Sequence, residues 1–219
     1  MAMKAPPNQD LRMTLFADGS IQDWPPSGEP EDLFPWNLFV KARTFIARGD
    51  VDSAKKCWRT VVGLPNLESR HCVQAWNFLR LHGEPVPPET RKQLLGVVVE
   101  LGFSAGLGIL AAYADYSAQY HNFSGGGLVW DRPNTSLDRD VGRLLAASLD
   151  LLNQIEVWEG TRPGPPPSGM VRLSFLTPGG LHFREGLMAD MSRDALRGPI
   201  LRSATALIQG FISLAKKGV

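Results

Sequence analysis

The sequence predicts an α+β protein in which N-terminal helical hairpins pack on a mainly antiparallel sheet carrying two long helices. Three observations predict it. Between residues 33 and 82 apolar residues recur at three- and four-residue spacing, the period of a helix. Residues 94 to 130 form the longest stretch with strand character, with glycines where a sheet must bend. After residue 90 the order strands, helix, strands, helix is that of a sheet with helices packed on it.

In chain order, residues 1–10 are polar and proline-bearing and read as a loose arm. Leu11 to Phe16, the pair Asp18-Gly19 and Ile21 to Trp24 predict strand, turn and strand, because Asp-Gly reaches positive φ cheaply. Together residues 1–32 are expected to form an N-terminal arm and hairpin. The stretch PPSGEPED, 25–32, is a connector in which prolines oppose both helix and strand.

Residues 33–83 are expected to form a helical segment. Leu38, Phe39, Ala42, Phe45 and Ile46 share one face of a helix that stops at Gly49. Asp50 caps a second helix with Ala54, Trp58, Val61 and Val62 on its apolar face. A third, capped at Ser69, carries Cys72, Ala75, Trp76 and Leu79. The pattern Ala42, Gly49-Asp50, Ala54, Trp58, Pro65 resembles a tetratricopeptide (TPR) hairpin, and Ala75-Trp76 with Leu79 resembles the start of another. The resemblance covers residues 38–82 and implies a surface that contacts protein partners. A stable TPR solenoid takes about three stacked repeats, so this segment must pack against the rest of the chain.

GEPVPPET, 83–90, marks the clearest boundary, and residues 91–219 are expected to form the sheet domain. Leu94 to Leu101 is a nearly continuous, valine-rich apolar run of the kind a central buried strand carries. Gly102, Gly106 and Gly108 break it, Ile109 to Ala114 follow as a strand, and the chain turns at Asp115-Tyr116-Ser117. Ala118 to Phe123 returns, Gly125 to Gly127 bend the chain, and Leu128 to Trp130 continue the sheet. Thr135 or Ser136 caps a helix whose apolar stripe runs from Leu137 to Trp158, with Asp138 and Asp140 suited to its N-terminal dipole. TRPGPPPSG is a loop, in which RPGPPP also has the character of a polyproline ligand. Met170 to Gly186 is a hairpin with Pro178-Gly179-Gly180 at its tip, and Gly198-Pro199 opens the last helix. The element order over 94–219 resembles the roadblock or profilin-like arrangement, which implies a scaffold and no particular function.

Composition excludes several functions. Lysine plus arginine (23) nearly equals aspartate plus glutamate (22) in the 219 residues, so neither nucleic acid nor an anionic membrane is an expected partner. No signal-peptide pattern or long apolar run is present, and the two cysteines, Cys57 and Cys72, fall on or beside helical apolar faces. A cytoplasmic protein with free thiols is the expectation. Cys57, His71, Cys72 and His82 lack the close Cys-x2-4-Cys spacing of a structural zinc site, so no metal is expected. NFSGGG is not a nucleophile elbow and the 102–108 glycines are not a phosphate loop, so no catalytic residues and no cofactor are expected.

Two groups of residues remain as candidates. On the central hairpin, Asp115, Ser117, Gln119 and His121 alternate with Ala114, Tyr116, Ala118 and Tyr120, and a strand turns such sets to opposite faces. The ligand-binding candidates are Asp115, Tyr120 and His121, with His182 joining them if the two hairpins are neighbours; the ordinary alternative is a solvated sheet face. Trp24, Trp36, Trp130 and Trp158 lie near element ends, where tryptophan serves either an interface or the rim of a core. The expected function is a non-enzymatic protein–protein interaction or adaptor protein, with a protein partner or a homodimer. The alternative is a small-molecule binder or enzyme with its pocket around His121.

Overall fold

The structure, a computed structural model, describes residues 7–217. The chain divides into two compact units, one up to Arg91 and one from Lys92 onward.

The first unit is helical: α1 (Pro7–Phe16), α2 (Trp36–Ala47), α3 (Val51–Gly63) and α4 (Ser69–Leu81). The strand–turn–strand expected over residues 11–24 is corrected, and the loose arm expected for residues 1–10 gives way to α1 from Pro7, its first six residues lying outside the described ones. Arg12, Leu15 and Phe16 are buried at i, i+3 and i+4, which is one face of a helix and not of a strand. Ala17, at φ 47°, ends the helix. Asp18-Gly19 makes no hairpin because the Gln74 side chain holds the Gly19 backbone through both its N–H and its C=O, each at 3.0 Å. A side chain from α4 thus supplies the partners that a second strand would have supplied.

The α2–α3 turn forms as its residues predict. Gly49 takes φ 77°, and the Asp50 carboxylate accepts the Ser53 N–H at 3.0 Å. Ser69 does not cap α4 but is its first, buried residue, and Glu68 precedes it. Aromatic rings fill the centre of the unit: Trp24 lies 5.7 Å from Trp36, Phe39 6.3 Å from Phe78, and Trp58 5.2 Å from Phe78.

The second unit is built on a six-stranded antiparallel sheet: β1 (Gly96–Phe103), β2 (Gly106–Tyr113), β3 (Ala118–His121), β4 (Gly127–Trp130), β5 (Met170–Thr177) and β6 (Gly180–Leu187). The strand order is β4-β3-β2-β1-β5-β6. Between the two sets of strands comes α5 (Asp138–Asn153), and after them α6 (Met188–Arg193), which had no sequence signal, and α7 (Arg197–Lys217). Asp138 receives Arg132 at 2.8 Å, and neither Thr135 nor Ser136 caps α5. The helix ends before Ile155 and Trp158, so the apolar stripe outruns it.

Register determines which residues share a face. Trp130, Ala118, Ala112, Val97, Phe175 and His182 form one row across all six strands. Five of these lie in the core shared with α5, α6 and α7, so this is the helix-bearing face. A row on the opposite face, three positions along β1, is Gly127, His121, Ile109, Glu100, Arg172 and Glu185.

The glycines of β1 and β2 do not break the strands. The turn is only Ser104-Ala105, and Gly102 lies within β1 because something passes over it. A Cβ there would lie 2.1 Å from the Pro167 carbonyl oxygen. Gly108 lies under the Phe103 ring, which a Cβ would approach to 3.1 Å.

Candidate functional site

The polar set of the β2–β3 hairpin does not converge. Asp115 sits in the turn, where its carboxylate accepts the N–H and the hydroxyl of Ser117 at 2.8 and 2.7 Å, a local Asx turn. His121 is at the far end of β3, about 13 Å along a strand of four residues. Tyr120 packs toward the helices while Gln119 and His121 face the other way, as the alternation requires. His121 Nε2 is 3.4 Å from Gln119 Oε1, and its ring covers Gly127, where a Cβ would meet Nδ1 at 2.4 Å. Burial pushes the His121 pKa down.

His182 does not join His121. It lies on the helix-bearing face of β6, four strands and about 19 Å from β3 at the usual strand spacing. It is 1% exposed, with Nδ1 3.2 Å from the Ile155 carbonyl and Nε2 3.3 Å from Thr177 Oγ1. Burial dominates its electrostatics and pulls its pKa below the ordinary histidine value, although the Ile155 and Glu156 carbonyls oppose this. The unfolded chain therefore binds the proton first as pH falls, so the contribution of neutral His182 is present above the unfolded pKa of about 6.5 and is lost below it. We expect stability to fall between pH 7 and pH 5, and His182→Gln to flatten that slope in denaturant titrations. An equal slope in both proteins would place the titration elsewhere.

The tryptophans divide in the same way. Trp24 (1% exposed), Trp36 (8%) and Trp130 (6%) are core residues, which corrects the expectation of an interaction role. Trp158 alone is open to solvent at 45%. It packs edge-on against Phe183 at 5.1 Å between ring centres, and its indole N–H donates to the Thr161 carbonyl at 2.9 Å.

The segment 154–169, which ends in the loop TRPGPPPSG, is a fixed strap. Lys92 Nζ and His182 hold its beginning at the Ile155 carbonyl. The Trp158 N–H then donates to the Leu181 carbonyl at 2.7 Å, on the outer side of β6. Arg172 Nη1 donates to Gly164 O at 2.6 Å, and the Gly169 N–H donates to Gly102 O at 2.9 Å. The prolines are thus bound to the chain's own sheet, a use other than that of a polyproline ligand.

Beneath the strap lies a group of residues not anticipated from the sequence. Arg172, 4% exposed, pairs with Glu100 at 3.3 Å and also with Glu185. Its guanidinium stands 5.4 Å from the centre of the Phe183 ring. Glu100 has no exposed surface. A signal was present: VVVELGF and MVRLSFL each hold one charge of opposite sign in an otherwise apolar strand. Such charges are rarely buried unless paired.

Two surface features complete the inventory. At the end of the sheet holding the β1–β2 and β3–β4 turns, Phe103 and Phe123 stack at 5.3 Å while 46% and 49% exposed. On the helix-bearing face, a half-open apolar groove of about 320 Å³ runs between β1, α6 and α7, with Val99, Leu101, Met188, Leu201 and Ile208 among its walls. Among the described residues, no three or more histidine, cysteine, aspartate or glutamate side chains gather in metal-binding geometry. No helix among them is long and apolar enough to cross a membrane. Cys57 and Cys72 form no disulfide, and burial raises the Cys57 thiol pKa.

The fold is therefore of the α+β class, with helices preceding an antiparallel sheet that carries its own helical layer. The chain matches no protein-family model, no curated protein and no solved structure.

Proposed function

We propose that this is a non-enzymatic interaction protein whose α+β unit docks an extended segment of a protein partner at the corner formed by β4 and the Phe103–Phe123 pair. The observation that carries this reading is the unequal treatment of the two sheet edges. The strap bonds the outer side of β6 through Trp158, whereas β4 has no outer partner among the described residues. Asn122 N–H donates to Gly126 O at 2.8 Å, and the alternation of an antiparallel ladder then turns the N–H and C=O of Gly127 and Val129 outward. An open edge offers main-chain hydrogen bonds to an added strand, and an adjacent apolar pocket or ring gives such a strand its specificity. Phe123, in the turn leading into β4, supplies that ring together with Phe103. The TPR resemblance of residues 38–82 supports an adaptor role for the helical unit as well.

Photo-crosslinking tests this reading. With a benzoylphenylalanine at position 103 in the native cell, a crosslink to another protein is expected. Val129→Pro removes one outward N–H without touching the β3 ladder and should abolish that crosslink, as should Phe123→Ser. A crosslink that survives both substitutions, or one formed only with a second copy of this chain, would overturn the proposal.

A further inference from the structure

The groove over β1 has walls and a rim of unlike chemistry. Its floor is Val99 and Leu101, its sides are Met188, Leu201 and Ile208, and Arg202 stands at its margin. The hydroxyls nearby are already engaged: Ser192 donates to the Met188 carbonyl at 2.6 Å and Thr205 to the Leu201 carbonyl at 2.9 Å. The other charge at this end of α7 is also neutralised. The Asp194 carboxylate accepts the N–H groups of Leu196 and Arg197 at 2.9 and 2.8 Å, and it pairs with the Arg197 side chain at 3.5 Å.

Arg202 differs. It is exposed, and no carboxylate pairs with it among the described residues. Its Nη1 folds back over Gly198, where a Cβ would meet it at 3.2 Å, so the guanidinium lies along the first turn of α7. Gly198 is itself required there, because a Cβ would lie 2.7 Å from the Ser192 carbonyl oxygen.

An apolar trough with a single unpaired cation at its edge is complementary to a small amphiphile bearing one negative charge. We propose that the groove binds a monocarboxylate with a short alkyl or aryl tail, the tail over Val99 and Leu101 and the carboxylate on Arg202. The volume, about 320 Å³, is at the lower end of the roughly 300–1,000 Å³ of small-molecule sites. That admits a short acyl chain and excludes a whole phospholipid. The planar guanidinium suits a carboxylate through paired N–H donors.

Calorimetric titration of the full chain with octanoate and with octan-1-ol separates the two parts of the site. Octanoate is expected to bind more tightly, and Arg202→Gln should weaken it about fivefold, the scale of an exposed ion pair, while leaving octanol unchanged. Ala206→Trp, which narrows the groove, should weaken both. Intermolecular NOEs from the octanoate methyl to Leu101 and Ile208 are expected, and they report the site even if a variant fails to fold. No saturable binding at millimolar octanoate, NOEs to other methyls, or equal loss of octanol and octanoate in Arg202→Gln would each overturn the proposal.

Discussion

Arg172→Met is expected to cost about 3–5 kcal/mol of stability, the range for removing one partner of a buried ion pair. The loss arises less from the missing attraction than from what stays behind. Glu100 has no exposed surface, so without Arg172 its charge would be left in a low-dielectric interior. The double variant Glu100→Leu/Arg172→Met is therefore expected to recover most of the loss, since a well-packed apolar pair can match a buried ion pair. Glu185, with its side chain 25% exposed, can be hydrated on its own. Denaturant unfolding of the two variants, followed by circular dichroism, checks this. A double variant no more stable than the single one would mean that the strap's carbonyl bonds to Arg172, and not charge burial, dominate.

Gly102→Ala is expected to destabilise by about 3 kcal/mol, the upper end for inserting one methyl into a filled space. The added Cβ would lie 2.1 Å from Pro167 O and 2.5 Å from Pro166 O. Both are backbone atoms, so neither can rotate away, and the strap must lift. The bond from Gly169 N–H to Gly102 O, 2.9 Å, would be the first lost. Hydrogen exchange at the Gly169 amide reads this directly: protection should collapse in Gly102→Ala. Gly164→Ala is the control on the same strap, because nothing lies within 4 Å of its Cβ position. It should change stability by less than about 0.5 kcal/mol, as an unobstructed surface substitution does. Retained Gly169 protection in Gly102→Ala would show that the strap accommodates the methyl.

Much of the architecture was legible in the residues. The helix faces of α2 and α3, the Gly49-Asp50 turn and the valine-rich central strand follow from periodicity and capping, which act within a few residues, whereas on α4 only Ala75 and Leu79 of the expected face are buried and Cys72 and Trp76 are half-buried. The alternation on β3 correctly separated Tyr120 from His121. The candidate site was legible only in part. Alternation says which residues share a strand face, but not which strands neighbour one another, so only the structure could separate His121 from His182, strand order setting them four strands apart and register setting them on opposite faces. Tryptophan at an element end is equally compatible with core and surface, and only packing separated Trp158 from Trp24, Trp36 and Trp130.

Local periodicity determined where most helices and strands lie, and one cap, Asp50 on α3, because those depend on interactions within one or two turns of the chain. It misread residues 11–24, where apolar spacing over a short run suits either period and where Gln74, more than fifty positions away, supplies the partners for Gly19. Tertiary structure decided everything that depends on distant backbone: the strap across Gly102, the Glu100–Arg172 pair, the open edge at β4 and the groove beside Arg202. Each joins segments brought together by sheet register and helix packing, and no spacing within a single stretch of sequence encodes that meeting.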